Sequence, residues 1–282
     1  MAVPTCLSHG RPMTGDLCLT RTARTTTLQR THGDAGMPMR SLPVGMVLLI
    51  LLTACTPGFR MPPYAQRPYE PFSRESVVAI ALREWRAFGS AIEPDETAGK
   101  PERAPGLWQR IGDYWWLGLD PNDPEATFTG KHDGDGRVFP PEQDGDYAWS
   151  AAFVSYVMRM AGAGTGFPYN GNHHVYIRAA LRGDAGLIIA AERVADYAPR
   201  PGDLICVGRA DNAGLRFDDA KQMRSFKSHC DIVVETGGPD GVAVLGGNVA
   251  DTVALRHFPT TPNGRLADPD RFLAVLRLAI QP

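Results

Sequence analysis

Between residues 73 and 278 the spacing of apolar side chains changes once, from a helical to an alternating period, and that change bounds the fold. Val77, Ile80, Ala81, Trp85 and Phe88 recur at helical spacing, with Ser73 as a cap and Gly89 as a stop. The aromatic-dense stretch 107–119 begins as a helix before Gly112. Residues 149–160, W-S-A-A-F-V-S-Y-V-M-R-M, are apolar nearly all round and end at Gly162, which predicts a helix in the middle of the fold. A short helix is expected over 174–181. After it the period becomes that of strands, over 186–191, 202–207, 229–235, 242–245 and 253–257, with 272–278 as a last one. Pro239-Asp240-Gly241 supplies a turn between two of them. Helices first and strands afterwards predict an α+β domain over 73–282, with N-terminal helices packed on a meandering antiparallel sheet. The helical part spans 73–119 and the chemistry-bearing core 146–258.

The chain has 282 residues, 43% of them hydrophobic, which is enough for a buried core and excludes disorder throughout. Lys and Arg number 29 against 31 Asp and Glu, so no overall positive field exists to hold nucleic acid or an acidic membrane surface. No repeat at a solenoid period is visible, and no hydrophobic run reaches the ~18 residues that span a bilayer. From Met39 the chain reads M-R-S-L-P-V-G-M-V-L-L-I-L-L-T-A-C, the pattern of a secretory signal. Leu52-Thr53-Ala54-Cys55 resembles the bacterial lipobox, which implies cleavage before Cys55 and lipidation of that cysteine. Residues 1–36 are Thr- and Arg-rich without apolar periodicity, so they are expected to be an extension upstream of the true start at Met37 or Met39. The signal peptide is then 37–54, and 55–72, with five prolines after the acylated cysteine, is an extended tether. Loss of the first 54 residues, with five Arg and two Asp, leaves a net charge of −5. The membrane is reached through the N-terminal lipid only. Thr56 after Cys55 lacks the Asp associated with inner-membrane retention, so by resemblance to such lipoproteins the place is the outer membrane, facing the periplasm.

Five cysteines divide under this reading: Cys6 and Cys18 fall in the leader, Cys55 is the lipid site, and Cys206 and Cys230 remain on strands. In an oxidising compartment those two are either a disulfide or two reduced core thiols. Trp108, Tyr114, Trp115 and Trp116 form either a stacking wall for a ligand or part of the core. The loop 120–146 carries D-G-D-G, and Asp133 and Asp135 invite a calcium reading. Arg137 and Val138 at later ligand positions, and the missing Glu, oppose it, and no metal or other cofactor is expected.

Three segments can carry chemistry together: A-W-S-A-A-F at the start of the central helix, S-H-C-D-I-V-V-E at a strand start, and L-G-G-N-V-A-D past the next strand. A nucleophile at a helix N-terminus sees unpaired backbone N–H groups that can hold an oxyanion, and Ser150 has that place. An imidazole, His229, could take its proton, and a carboxamide, Asn248, could orient the imidazole. The opposing reading makes Ser150 a helix cap and Asn248 a turn residue tolerant of positive φ. His173 and His174 can line the same cleft, as can Trp149. Asp231, two residues past His229 on the same strand face, is the carboxylate that could replace Asn248.

The order W-S-A-A-F, P-R-P-G-D-L, S-H-C-D-I-V-V-E and V-L-G-G-N-V-A-D-T-V, over about 146–258, resembles the CHAP/NlpC-type cell-wall hydrolases, in particular endolysin-like members with W-C-A-A-F and L-G-G-N. The whole layout, with Y-W-W-L-G-L ahead of W-S-A-A-F, is also similar to bacterial lipoproteins grouped as a domain of unknown function. The first resemblance implies a papain-like fold, a nucleophile at Ser150, a base at His229, a third polar residue at Asn248, and peptidoglycan or wall peptide as the partner. Serine stands where those relatives have cysteine. A hydroxyl is far less acidic than a thiol of pKa ~8.5, so it needs a base at the moment of attack. Three functions stay open: an amide hydrolase of wall peptides, a catalytically inactive binding or scaffolding module, and an ester hydrolase. No protein partner is identified by the sequence.

Overall fold

The computed structural model describes residues 71–95, 99–129, 131, 132, 135 and 137–280. The upstream extension, the signal peptide, Cys55, the tether up to residue 70 and Asp133 lie outside the described residues. Helix α1, Arg74–Ala87, is capped by Ser73, whose Oγ accepts the Ser76 N–H at 3.1 Å, and the chain turns away at Gly89 with φ 86°. Helix α2, Leu107–Gly118, runs through Gly112 instead of stopping there. A glycine costs a helix ~1 kcal/mol, less than the gain from burying Ile111, Tyr114 and Trp115 on the same face. At its far end a Cβ on Gly118 would stand 2.8 Å from Tyr156 N and 2.9 Å from Ala152 O, so glycine lets α2 lie directly on helix α3, Ser150–Met160. Every residue of α3 from Ser150 to Met158 is buried, as its all-round apolar sequence predicts. Helix α4, His173–Arg182, ends at Gly183 in the left-handed region, and α5 is the short Phe217–Gln222.

The strands are β1 (Ala91–Ile92), β2 (Ile189–Glu192), β3 (Leu204–Gly208), β4 (Ser228–Gly238), β5 (Gly241–Val249), β6 (Thr252–Phe258) and β7 (Ala274–Leu278). They form one sheet in the order β1-β6-β5-β4-β3-β7-β2. The stretch β3 to β6 is the expected antiparallel meander, with the Pro239-Asp240 turn between β4 and β5. The sheet as a whole is mixed, because β1 pairs parallel with β6. Two residues carry no period, so β1 is invisible in a sequence that otherwise reads as loop over 90–106. The fold class is α+β.

Alternation along the strands divides the core in two. Leu204, Cys206, Cys230, Ile232 and Leu245 join the large cluster with the helices, while Ile205, Val233 and Val244 join a smaller one with Phe258, Leu266 and Phe272. Cys206 and Cys230 are register partners on β3 and β4 and form a disulfide, with Cα atoms 4.1 Å apart. Closing a loop of 24 residues is worth roughly 3 kcal/mol through the unfolded chain. The four aromatic residues do not make a ligand wall: Tyr114 and Trp115 are buried in the core, whereas Trp116 is 59% exposed. Tyr114 gives its O–H to the buried Glu84 carboxylate at 2.8 Å, which Arg110 also holds.

Candidate functional site

Ser150 is the first residue of α3, and Trp149, not Ser150, is the cap residue. The serine hydroxyl is therefore free of capping, and its Oγ lies 2.6 Å from Nε2 of His173. This corrects the expectation that His229 is the imidazole on the serine. His173 opens α4, and the segment before that helix is tied to α3: Ser155 Oγ accepts the Asn170 N–H at 3.1 Å and donates to the Asn170 carbonyl at 3.0 Å. Gly171 then passes so close that a Cβ there would meet Glu125 Oε2 at 2.2 Å and Trp115 Cζ3 at 2.7 Å. The first contact ties the segment before α4 to the middle of α3, and the second packs it against α2 and the 120–146 loop. His173, Tyr176, Ile177 and Ala180 form the buried stripe of α4 at helical spacing, whereas His174 turns outward beside Phe226. That i, i+3, i+4, i+7 stripe is the sequence signal that distinguishes the two histidines.

Burial pushes the His173 pKa well below its ordinary value, and the neighbouring His229 adds to that. A neutral imidazole has one donor and one acceptor nitrogen. Its Nδ1 is hydrogen-bonded to the hydroxyl of Tyr176, which burial keeps protonated. In the tautomer that gives the Nδ1 hydrogen to Tyr176, Nε2 is a lone-pair acceptor for the Ser150 O–H.

His229 lies beside this pair, its ring centroid 5.2 Å from that of His173. It is oriented by Asp231, not by Asn248: Nε2 and Asp231 Oδ1 are 2.9 Å apart. Burial alone would raise the Asp231 carboxyl, but His229 and Arg256 outweigh it and hold the pKa at about 2. The carboxylate is thus ionised and accepts, so the hydrogen sits on His229 Nε2. Arg256 Nη2 donates to the other oxygen at 2.5 Å. Asn248 reaches the cavity wall, but its φ of 55° also gives it the turn role, followed by Ala250 and Asp251 in the same left-handed region. The two glycines before it are required by packing. A Cβ on Gly247 would stand 2.7 Å from Phe153, and one on Gly246 would stand 2.1 Å from Asp231 Oδ1 and 3.1 Å from His229 Nε2. Gly246→Ala is therefore expected to separate His229 from Asp231, at a cost of about 1–3 kcal/mol in urea denaturation and with a shifted His229 imidazole NMR signal. An unmoved signal with unchanged stability would contradict this packing.

Ser150, His173, His174, His229 and Asn248 all line one cavity of about 800 Å³. Ser150 is 8% exposed, His173 5% and His229 2%, so the reactive groups sit at its floor. Trp149, expected in the cleft, is sealed in the core, where its Nε1–H donates to Glu102 Oε2 at 2.8 Å. Lys131 joins Glu102 to Asp144 beneath it. This buried network ties the 120–146 loop to the start of α3, and Gly145 from that loop reaches the wall without filling the space. Among the described residues, no group of three or more His, Cys, Asp or Glu side chains is arranged to hold a metal ion.

No curated protein and no solved structure matches this chain. A family profile does match, over residues 102–279, a range that begins at the Glu102 beneath Trp149 and includes Ser150, His173, His229, Asp231 and the disulfide. The chain belongs to the family described as an uncharacterized protein conserved in bacteria, DUF2272.

Proposed function

We propose that this protein is a lipid-anchored envelope hydrolase that cleaves amide bonds of peptidoglycan peptides, with Ser150 as nucleophile and His173 as its base. The observation that carries the reading is the 2.6 Å contact between Ser150 Oγ and His173 Nε2 at a helix N-terminus on the floor of a cavity. The papain-like assignment and the wall-peptide substrate rest on the likeness of W-S-A-A-F, S-H-C-D and L-G-G-N to the CHAP/NlpC hydrolases. The anchor at Cys55 and the periplasmic face of the outer membrane rest on the signal-like leader. Among the described residues no helix is long and apolar enough to cross a membrane.

In this reaction the Ser150 proton passes to His173 Nε2 as Oγ attacks the amide carbonyl. Backbone N–H groups in the first turn of α3 hold the oxyanion. His173 returns the proton to the leaving amine, and water releases the acyl group with the same imidazole as base. His229, fixed by Asp231, positions the substrate from the adjoining wall. An imidazole kept neutral by burial suits a hydroxyl nucleophile, which needs a free lone pair at the moment of attack. Serine in the place of cysteine favours a second reading, a binding module for wall peptide.

The test is incubation of the purified protein with peptidoglycan, muropeptides and simple esters, followed by mass spectrometry of the products. Fragments released by the unaltered protein and not by Ser150→Ala support the hydrolase; release unchanged in Ser150→Ala removes it. Products from Ser150→Cys alone support the binding module. Because the His173 pKa is depressed in the folded protein, the acid limb of kcat/KM is expected below pH 6.5, the ordinary histidine value. An acid limb at or above 6.5 in a pH-rate profile contradicts His173 as the base.

A further inference from the structure

The wall of the Ser150 cavity has a charge unlike that of the chain. Although the chain carries 31 acidic against 29 basic residues, no Asp or Glu lines this cavity among the described residues, whereas Arg209 and Lys227 do. Both cations are exposed, and neither has an ion-pair partner among the described residues. The nearby Asp231 carboxylate is occupied by His229 and Arg256. On the other side Glu125 lies behind Gly171 and does not line the space.

The two basic residues are held next to each other by their backbones. The Arg209 N–H donates to the Lys227 carbonyl at 2.9 Å, and the Lys227 N–H donates to Asn212 Oδ1 at 2.8 Å. Around Arg209 the chain makes a tight turn: Ala210 takes φ 49°, and a Cβ on Gly208 would collide with the Asn212 carbonyl. Two cationic residues that adjoin in the backbone and line one cavity with no acid give its wall a positive potential that favours an anion. Arg209 also acts on the reacting pair: after burial and His229, its charge is a further influence that disfavours protonation of His173.

We propose that Arg209 and Lys227 form a carboxylate-reading subsite, so that the substrate is a peptide with an ionised carboxylate close to the bond that Ser150 attacks. The proposal rests on the hydrolase reading for the identity of that bond, and on the cavity alone for the charge. A carboxylate is the ionised acid that a peptide itself supplies, and a phosphate is the other anion the two cations would accept.

The probes are N-acetyl-Ala-Glu methylamide, its Gln counterpart, which differs by one charge, and inorganic phosphate. Binding is measured by calorimetry on the Ser150→Ala protein, and turnover on the unaltered one. The Glu probe is expected to bind at least about tenfold more tightly than the Gln probe, with the difference reduced by salt. Arg209→Gln with Lys227→Gln removes the difference, and Arg209→Glu with Lys227→Glu reverses it, while the melting temperature shows that the fold persists. Equal affinity for the two peptides, or a difference that survives the double substitution, overturns the proposal, as does phosphate binding tighter than the Glu probe. Turnover of both peptides without a difference in affinity removes the subsite and leaves the hydrolase. Preferential binding of the Glu probe without turnover keeps the subsite and removes the hydrolase.

Discussion

His173→Ala is expected to lower kcat/KM on a cleaved wall peptide by about 10³-fold or more, close to the loss in Ser150→Ala, whereas His229→Ala loses only about 10- to 100-fold. The ranking follows from contact. Ser150 Oγ is within 2.6 Å of His173 Nε2, and an alkoxide does not form near neutral pH without an acceptor at that distance. His229 spends its Nε2 hydrogen on Asp231, and its ring lies beside that of His173, 5.2 Å between centroids. The order of segments along the chain predicts the opposite ranking, with His229 indispensable. Kinetics of the three alanine variants on one substrate decide the matter: a His229→Ala loss that equals Ser150→Ala, with His173→Ala nearly active, would return the base to His229. Ser150→Cys adds a second measure. A thiol is acidic enough to ionise beside an imidazole, so that variant is expected to depend less on His173 than serine does.

Asp231→Ala is expected to destabilise the fold by about 3 kcal/mol, the lower end for breaking a buried pair. Asp231 is 2% exposed and holds two partners, but Arg256 is partly exposed and can turn its guanidinium to water. Asp231→Asn keeps an acceptor for His229 and loses the charge for Arg256, so it falls between. The pH dependence has a definite sign. An unfolded aspartate titrates near 3.9, and Asp231 in the fold at about 2. The stability that comes from this difference, about 2–3 kcal/mol, is complete above the unfolded value and is lost as pH falls from about 4 towards 2. Asp144 is also held at about 2, by Arg103, Lys131 and Lys100 against the effect of burial, and contributes to the same acid slope. Subtracting the Asp231→Asn curve isolates the Asp231 share. Urea unfolding at pH 7 that is identical for Asp231→Asn and the unaltered protein would show that the ion pair adds nothing.

The helices were legible because their signals are local. Ser73 and Gly89 bound α1, and an all-apolar run announced the buried α3. The change to alternate spacing marked the strands, and the face it assigns to Asp231 is the one on which that carboxylate meets His229. Gly112 misled, since a helix breaker counts for little when three large neighbours are buried around it. β1 had no signal at all, because its pairing with β6 is made by main-chain atoms that any residue supplies.

The site was legible as a set of segments and not as a set of bonds. Ser150, His229 and Asn248 do line one cavity, as their order suggested, yet the hydrogen bonds run from Ser150 to His173 and from His229 to Asp231. Helix position made Ser150 a candidate cap, and only the observed cap at Trp149, one residue before α3 begins, freed its hydroxyl. Trp149 adjoins Ser150 in sequence but turns into the core toward Glu102, since successive helical residues point about 100° apart. Sequence by itself determined the α+β order, the central helix with a serine at its head, and two cysteines on strands. Tertiary structure alone decided which imidazole meets the serine, which acid holds the other imidazole, and that the cysteines are joined. Period and capping act over a few residues, whereas those bonds depend on how Asn170 ties the start of α4 to α3 and Gly171 packs it against Trp115 and Glu125, across distances that no local pattern encodes.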